Sequence, residues 1–107
     1  MSGINMPEDE NAKAEILYAQ GDYEGAILAW EKAERVRPQS YAHWYKKGIA
    51  LRKLDRYDEA ATALENALLL DSKNADAWRA HALVCSQMDR NAEAIASCEK
   101  ALALDSY

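Results

Sequence analysis

Two histidines and two cysteines are the side chains of this sequence best suited to metal binding or nucleophilic chemistry. Their spacing argues for neither. His43 and His81 stand 38 residues apart, and neither a His-x-x-x-His nor a Glu-x-x-His pair is present to build a helical metal site. Cys85 and Cys98 are thirteen residues apart and form no Cys-x-x-Cys pair. Each falls on an apolar helical position, so both are expected as buried free thiols, cysteine packing as a small hydrophobe. Cys98 as a nucleophile would need exposure and a neighbouring base, whereas its place beside Ala94 and Ala101 predicts burial. There is no glycine-rich phosphate loop and no Ser/His/Asp constellation. The expectation is a chain without catalytic residues, cofactor or metal.

Bulk properties narrow the class further. The 107 residues are half hydrophobic and 29% charged, the composition of one globular domain with a core of limited depth. A net charge of −5 argues against broad affinity for nucleic acid or an anionic membrane. No apolar run approaches the roughly 18 residues of a membrane span. Residues 1–6 read as a disordered leader with neither a basic end nor an apolar stretch, which makes the cytoplasm the expected location. Tryptophan and tyrosine can stack on bases, but Trp30, Trp44 and Trp78 occupy recurring packing positions and are expected in the core.

What positions these residues is a period of 34. Trp44 recurs as Trp78; Ala26, Ala60 and Ala94 share one position, and Ala33, Ala67 and Ala101 another. A fixed period of this size marks stacked supersecondary units. From Tyr41 to Leu54, the residues Trp44, Gly48, Leu51 and Leu54 lie three and four apart on one helical face. Asp55-Arg56 makes a polar turn, and a second helix runs from Tyr57 to Leu70 with Ala60, Ala61, Leu64, Ala67 and Leu68 inward. The scheme repeats over Ala75–Gln87 and Asn91–Leu104. In the first unit Gly21-Asp22 is the turn, and Pro38 is expected to stop the second helix near Arg37. The small residues Ala14, Gly48 and Ala82, facing Ala26, Ala60 and Ala94, let paired helices approach closely.

The pattern resembles the tetratricopeptide repeat. Trp44, Gly48, Leu51, Tyr57, Ala60, Leu64 and Ala67 fit it in the middle unit, Trp78, Ala82, Ala94, Ala101 and Leu104 in the third. In the first, Gly21, Tyr23, Ala26, Trp30, Ala33 and Pro38 fit, while Glu10 and Lys13 depart from it. The resemblance implies an all-α fold, a right-handed superhelical solenoid of three helix-turn-helix repeats and six helices. Its single domain would span residues 7–107, with repeats at about 7–40, 41–74 and 75–107. His81 then replaces a typical aliphatic residue, as a partly buried structural histidine.

The family also implies a concave groove, lined by the first helix of each repeat, that holds a partner protein or peptide. The corresponding positions here include Asn11, Glu15, Tyr18, Tyr45, Lys46, Ile49, Arg52, Lys53, Arg79 and Leu83. Lys46, Arg52, Lys53 and Arg79 would make a basic patch beside apolar residues, suited to an acidic, partly apolar peptide. The family's two-carboxylate clamp is not expected, since its positions read Asn11, Glu15, Lys46, Asp76 and Ala80.

The alternative is a structural spacer or self-association segment, a fragment of a longer repeat protein with no peptide ligand of its own. The sequence stops where a fourth unit would begin, which would leave part of the Ala101, Leu102 and Leu104 side bare and favour a weak homodimer.

Overall fold

The computed structural model describes residues 7–105; the expected leader lies outside them. The described residues form six helices and no strand: α1 (Pro7–Ala19), α2 (Tyr23–Glu34), α3 (Tyr41–Lys53), α4 (Tyr57–Leu70), α5 (Ala75–Gln87) and α6 (Asn91–Asp105). Within each consecutive pair the helices pack closely; between pairs, α2 meets α3 and α4 meets α5. The result is a helical repeat solenoid 52 Å long and 27 by 22 Å across.

The turn inside each pair rests on one left-handed residue. Gly21 has φ +84°, and Asp55 and Asp89, one and two periods later, have φ 60° and 58°. Glycine takes this conformation at no steric cost and aspartate is among the few others that tolerate it. The start of the second helix has two interchangeable solutions. In the first unit Asp22 caps α2 by accepting from the Gly25 amide at 2.9 Å, and a Cβ at Gly25 would lie 2.6 Å from that carboxylate. In the other units the same two positions hold Arg56 with Glu59 and Arg90 with Glu93, which pair through two hydrogen bonds each.

The core runs the length of the stack through Ala14, Trp30, Leu51, Leu64, Val84 and Cys85. Gly48 lies against Leu64, close enough that a Cβ there would stand 2.7 Å from Leu64 Cγ. Helix α2 ends at Glu34, three residues before the expected stop. Pro38 disfavours helix at Arg37, and Gln39 Nε2 donates to the carbonyls of Ala33 and Arg37 at 3.0 and 2.9 Å, fixing the exit from the last turn.

Trp44 and Trp78, expected in the core, are only half-buried at the unit surfaces, and two further burial expectations need correction in the last helix. Cys98 is exposed, although Trp30 and Leu64, at the same position in earlier units, are fully buried. Those two are covered by the following unit's first helix, and no such helix follows α6 among the described residues. Conversely, Ala101 is 2% exposed, because it faces inward, while Leu102 and Leu104 are 69% and 37% exposed. Cys85 is buried and His81 is nearly so, as expected.

The joints between units carry ionic contacts. At the α2–α3 joint Glu34 accepts from Lys47 Nζ at 3.1 and 2.9 Å and lies 2.6 Å from His43 Nε2. Lys47 also stands 3.8 Å from Glu31. At the α4–α5 joint His81, one period after Lys47, lies 3.1 Å from Glu65, one period after Glu31, and its Nδ1 lies 2.8 Å from Ser97 Oγ. A cationic or imidazole side chain reaching back to a conserved-by-position glutamate is thus part of how one unit seats on the next.

Candidate partner-binding groove

Of the expected groove residues on α1, α3 and α5, the aromatic ones are the most firmly placed. Tyr18, half-buried, lies edge-on to Tyr23 with ring centres 5.7 Å apart and tilts against Trp30 at 5.8 Å. Tyr45 stacks on Tyr41 at 5.7 Å with the planes only 10° apart. Tyr41 is absent from the sequence-derived groove; its i, i+4 spacing from Tyr45 on one helix is the signal that marks it. Burial raises the pKa of Tyr18, Tyr45 and Tyr41, the last to about 12, with neighbouring tyrosines and acids adding to the effect. These phenols are therefore neutral hydrogen-bonding groups at physiological pH. Ile49 packs half-buried against the core, and Leu83 is 53% exposed on α5.

The four expected cations do not stand alike. Lys46 Nζ lies 2.6 Å from Glu15 Oε1, tying α3 to α1. Arg79 pairs with Asp76 on its own helix and with Asp105 at the end of α6. These acids spend most of the attraction that Lys46 and Arg79 could offer an incoming anion. Lys53 is exposed in the last turn of α3. Arg52 is half-buried, and its Nε is buried without a hydrogen-bond partner. Its charge opposes the upward shifts of Tyr18 and Tyr45. Asn11 turns away from this region. Its Nδ2 donates to Gln39 Oε1 at 3.0 Å and its Oδ1 lies 3.3 Å from His43 Nδ1, so it belongs to the α2–α3 joint.

Among the described residues no group of three or more His, Cys, Asp or Glu side chains could hold a metal ion, and no helix is long and apolar enough to cross a membrane. A separate hollow of about 360 Å³ lies beside α4 and α5, lined by Leu68, Leu69, Trp78 and His81. It is apart from the groove residues.

Known proteins with this arrangement agree on its family. The small glutamine-rich tetratricopeptide repeat-containing protein 2 of Saccharomyces cerevisiae is 36% identical over 78 residues, a match that takes in 64% of this chain and 22% of that protein. MamA of Desulfovibrio magneticus superposes with a TM-score of 0.88 at 27% identity, over 94% of this chain and 56% of its own. The second TPR domain of Spaghetti (RPAP3), solved with the HSP90 peptide SRMEEVD, superposes with a TM-score of 0.84 at 21% identity, over 92% of this chain and 86% of its own; that likeness is one of fold. The chain thus spans about a fifth of the yeast protein and little more than half of MamA. The tetratricopeptide-repeat family model matches residues 11–64 and 45–107, and with the period, the six helices and the turn chemistry in agreement, the chain belongs to the tetratricopeptide-repeat family.

Proposed function

We propose that the chain is a non-catalytic protein-interaction module whose concave face takes an extended peptide of a partner protein, with Arg52 as its anchor. The observation that carries this reading is the half-buried Arg52 on α3, whose Nε has no hydrogen-bond partner and whose charge acts on Tyr18 and Tyr45. A buried donor without a partner is costly, and the Arg52 side chain relieves that cost by turning outward to pair with a ligand carboxylate or carbonyl. Lys53 extends the positive charge toward solvent, and Ile49 and Leu83 offer apolar contact on either side. The preferred ligand is an acidic residue flanked by apolar ones. Its charge preference is narrower than four cations would give, because Lys46 and Arg79 are already engaged.

The Spaghetti domain, of the same fold, holds the peptide SRMEEVD, which supports a peptide as the ligand class. A terminal carboxylate gripped in the family's clamp is not part of the proposal: Glu15 and Asp76 stand at two clamp positions and would repel it. A cytoplasmic setting goes with this reading, supported by two unbridged thiols, one of them exposed, which suit a reducing compartment.

The test is titration of labelled peptides carrying a central acid between apolar residues, read by fluorescence anisotropy at two salt concentrations. Binding that weakens with salt and is lost in Arg52→Glu, with the far-UV circular dichroism unchanged, is expected. Peptide binding that survives Arg52→Glu, or no binding by any acidic peptide, would refute the assignment.

A further inference from the structure

We propose that this chain associates head to tail, with α1 of one copy seating on the outer face of α6 of the next. The outer faces of α1 and α6, the first and last described helices, carry the two halves of a joint that the described residues already make twice.

On the α6 side, Ile95, Cys98, Glu99 and Leu102 stand one period after Ala61, Leu64, Glu65 and Leu68. The apolar three of that earlier set are at most 8% exposed beneath the following unit, whereas Ile95 and Leu102 are 60% and 69% exposed and Cys98 is exposed too. On the α1 side, Lys13 stands one period before Lys47 and two before His81, and Ile16 stands before Ala50 and Val84. Ala50 and Val84 are fully buried at their joints; Ile16 is 59% exposed, and Lys13 is exposed.

One ionic element of the joint recurs on both outer faces; the closer pairing of the first joint, Lys47 with Glu34, does not, since Leu102 stands at the Glu34 position. Lys47 stands 3.8 Å from Glu31 and His81 3.1 Å from Glu65. Glu99 is the third glutamate of that series and Lys13 the third cation of its own. A second copy placed by the same screw operation brings Lys13 to Glu99 and lays Ile16 over the apolar strip of α6. The occupant is therefore another copy of this chain, selected by charge and by register together. Asp9 takes the position of His43 and Ala77, opposite Leu102, so this joint is less apolar than the internal ones and the association is reversible. Because α1 and α6 are different surfaces, the contact is heterologous and does not close at two copies.

The experiment is sedimentation of the full chain across a dilution series, beside Lys13→Glu and Glu99→Lys. Both substitutions fall on exposed residues, and unchanged thermal melting checks that they fold. Wild-type protein is expected to gain mass beyond a dimer as concentration rises, with Cys98 reacting more slowly toward a thiol reagent over the same range. Each single variant sets like charges against each other and should weaken association by about tenfold or more. An equimolar mixture of the two variants, and the Lys13→Glu/Glu99→Lys double variant, should recover it, because every contact then pairs opposite charges. Ile16→Asp and Leu102→Asp test the apolar half and should each abolish association. A wild-type chain that is monomeric throughout, a mass that stops at a dimer, or a Lys13→Glu variant that associates like wild type would overturn the proposal; the last two would indicate an isologous pairing through α6.

Discussion

Replacing Glu34 by glutamine keeps the shape of the α2–α3 joint and removes its charge. The native carboxylate accepts twice from Lys47, at 3.1 and 2.9 Å, and lies 2.6 Å from His43 Nε2. Only 11% of the Lys47 side chain and 20% of Glu34 reach solvent. Opposite unit charges about 3 Å apart attract by roughly 5–6 kcal/mol at an effective dielectric of about 20, but most of that offsets the desolvation of both ions. The substitution leaves the ammonium buried without its main counter-ion, and breaking a buried pair from one side costs about 3–5 kcal/mol. Lys47 retains Glu31 at 3.8 Å and the Trp44 ring at 5.2 Å, and the new amide still accepts one hydrogen bond. With these and the partial exposure, Glu34→Gln should cost about 2–3 kcal/mol, lowering Tm by roughly 10–20 °C in a domain of this size. The loss should also depend on pH. Burial raises the Glu34 pKa, but hydrogen bonds from His43 and Lys47 and their charges outweigh it and hold the group below 4.5. A depressed carboxyl contributes stability that is complete above its unfolded-state pKa and is lost as pH falls through the folded one. The gap between wild type and variant in urea unfolding should therefore be full at pH 7 and close as pH falls below about 4.5. A gap under about 0.5 kcal/mol at pH 7, the size of an ordinary surface change, or one unaltered in acid, would refute the reasoning. The second joint supplies a control: its positions equivalent to Glu34 and His43 are Leu68 and Ala77. Lys47 likewise stands where the second joint has His81, and Glu34→Leu with His43→Ala and Lys47→His should recover at least half of what Glu34→Leu alone loses.

Three further changes test the packing and the turns. Gly48→Ala puts a Cβ 2.7 Å from Leu64 Cγ and should destabilise by about 1–3 kcal/mol in urea unfolding; a neutral result would mean that α3 and α4 can separate freely. Asp89→Gly relieves a left-handed residue at φ 58° and should stabilise by up to about 1 kcal/mol. Asp55→Gly should gain less, since Asp55 also accepts from the Tyr57 hydroxyl at 2.8 Å; equal gains at both sites, or a loss at Asp89, would remove backbone strain as the explanation.

What could be read from the sequence, and what could not, follows from how periodicity carries information. Trp44 with Trp78 and the alanine series report which positions recur, and in helices of fixed pitch that settles each element and its inward face. The expected spans for α4 and α5 accordingly match the observed ones, and α3 and α6 differ from expectation by one residue at the C-terminal end. The period is silent about what a position touches across a joint. Lys47 with His81, and Glu31 with Glu65, each recur after 34 residues, yet only the seating of α3 on α2 and of α5 on α4 makes them partners. The groove is subject to the same gap: Glu15 and Lys46 are 31 residues apart, and their pairing at 2.6 Å depends on how two units stack.

Cys98 makes the point most sharply. Its position is buried in Trp30 and Leu64 and open in Cys98 itself, so burial at a recurring position belongs to a pair of adjoining units and not to the residue. Stability in such a stack is correspondingly the sum of unit terms and joint terms, and an end unit is short of one joint. Among the described residues α1 likewise leaves Lys13 and Ile16 exposed at positions that the inner units bury. A stack whose exposed ends are complementary in charge and in apolar register can make up that deficit by adding copies of itself, whereas one with like-charged ends is held to single molecules. On the head-to-tail contact proposed above, Lys13 and Glu99 would place this chain in the first class, and reversing either of them should move it to the second.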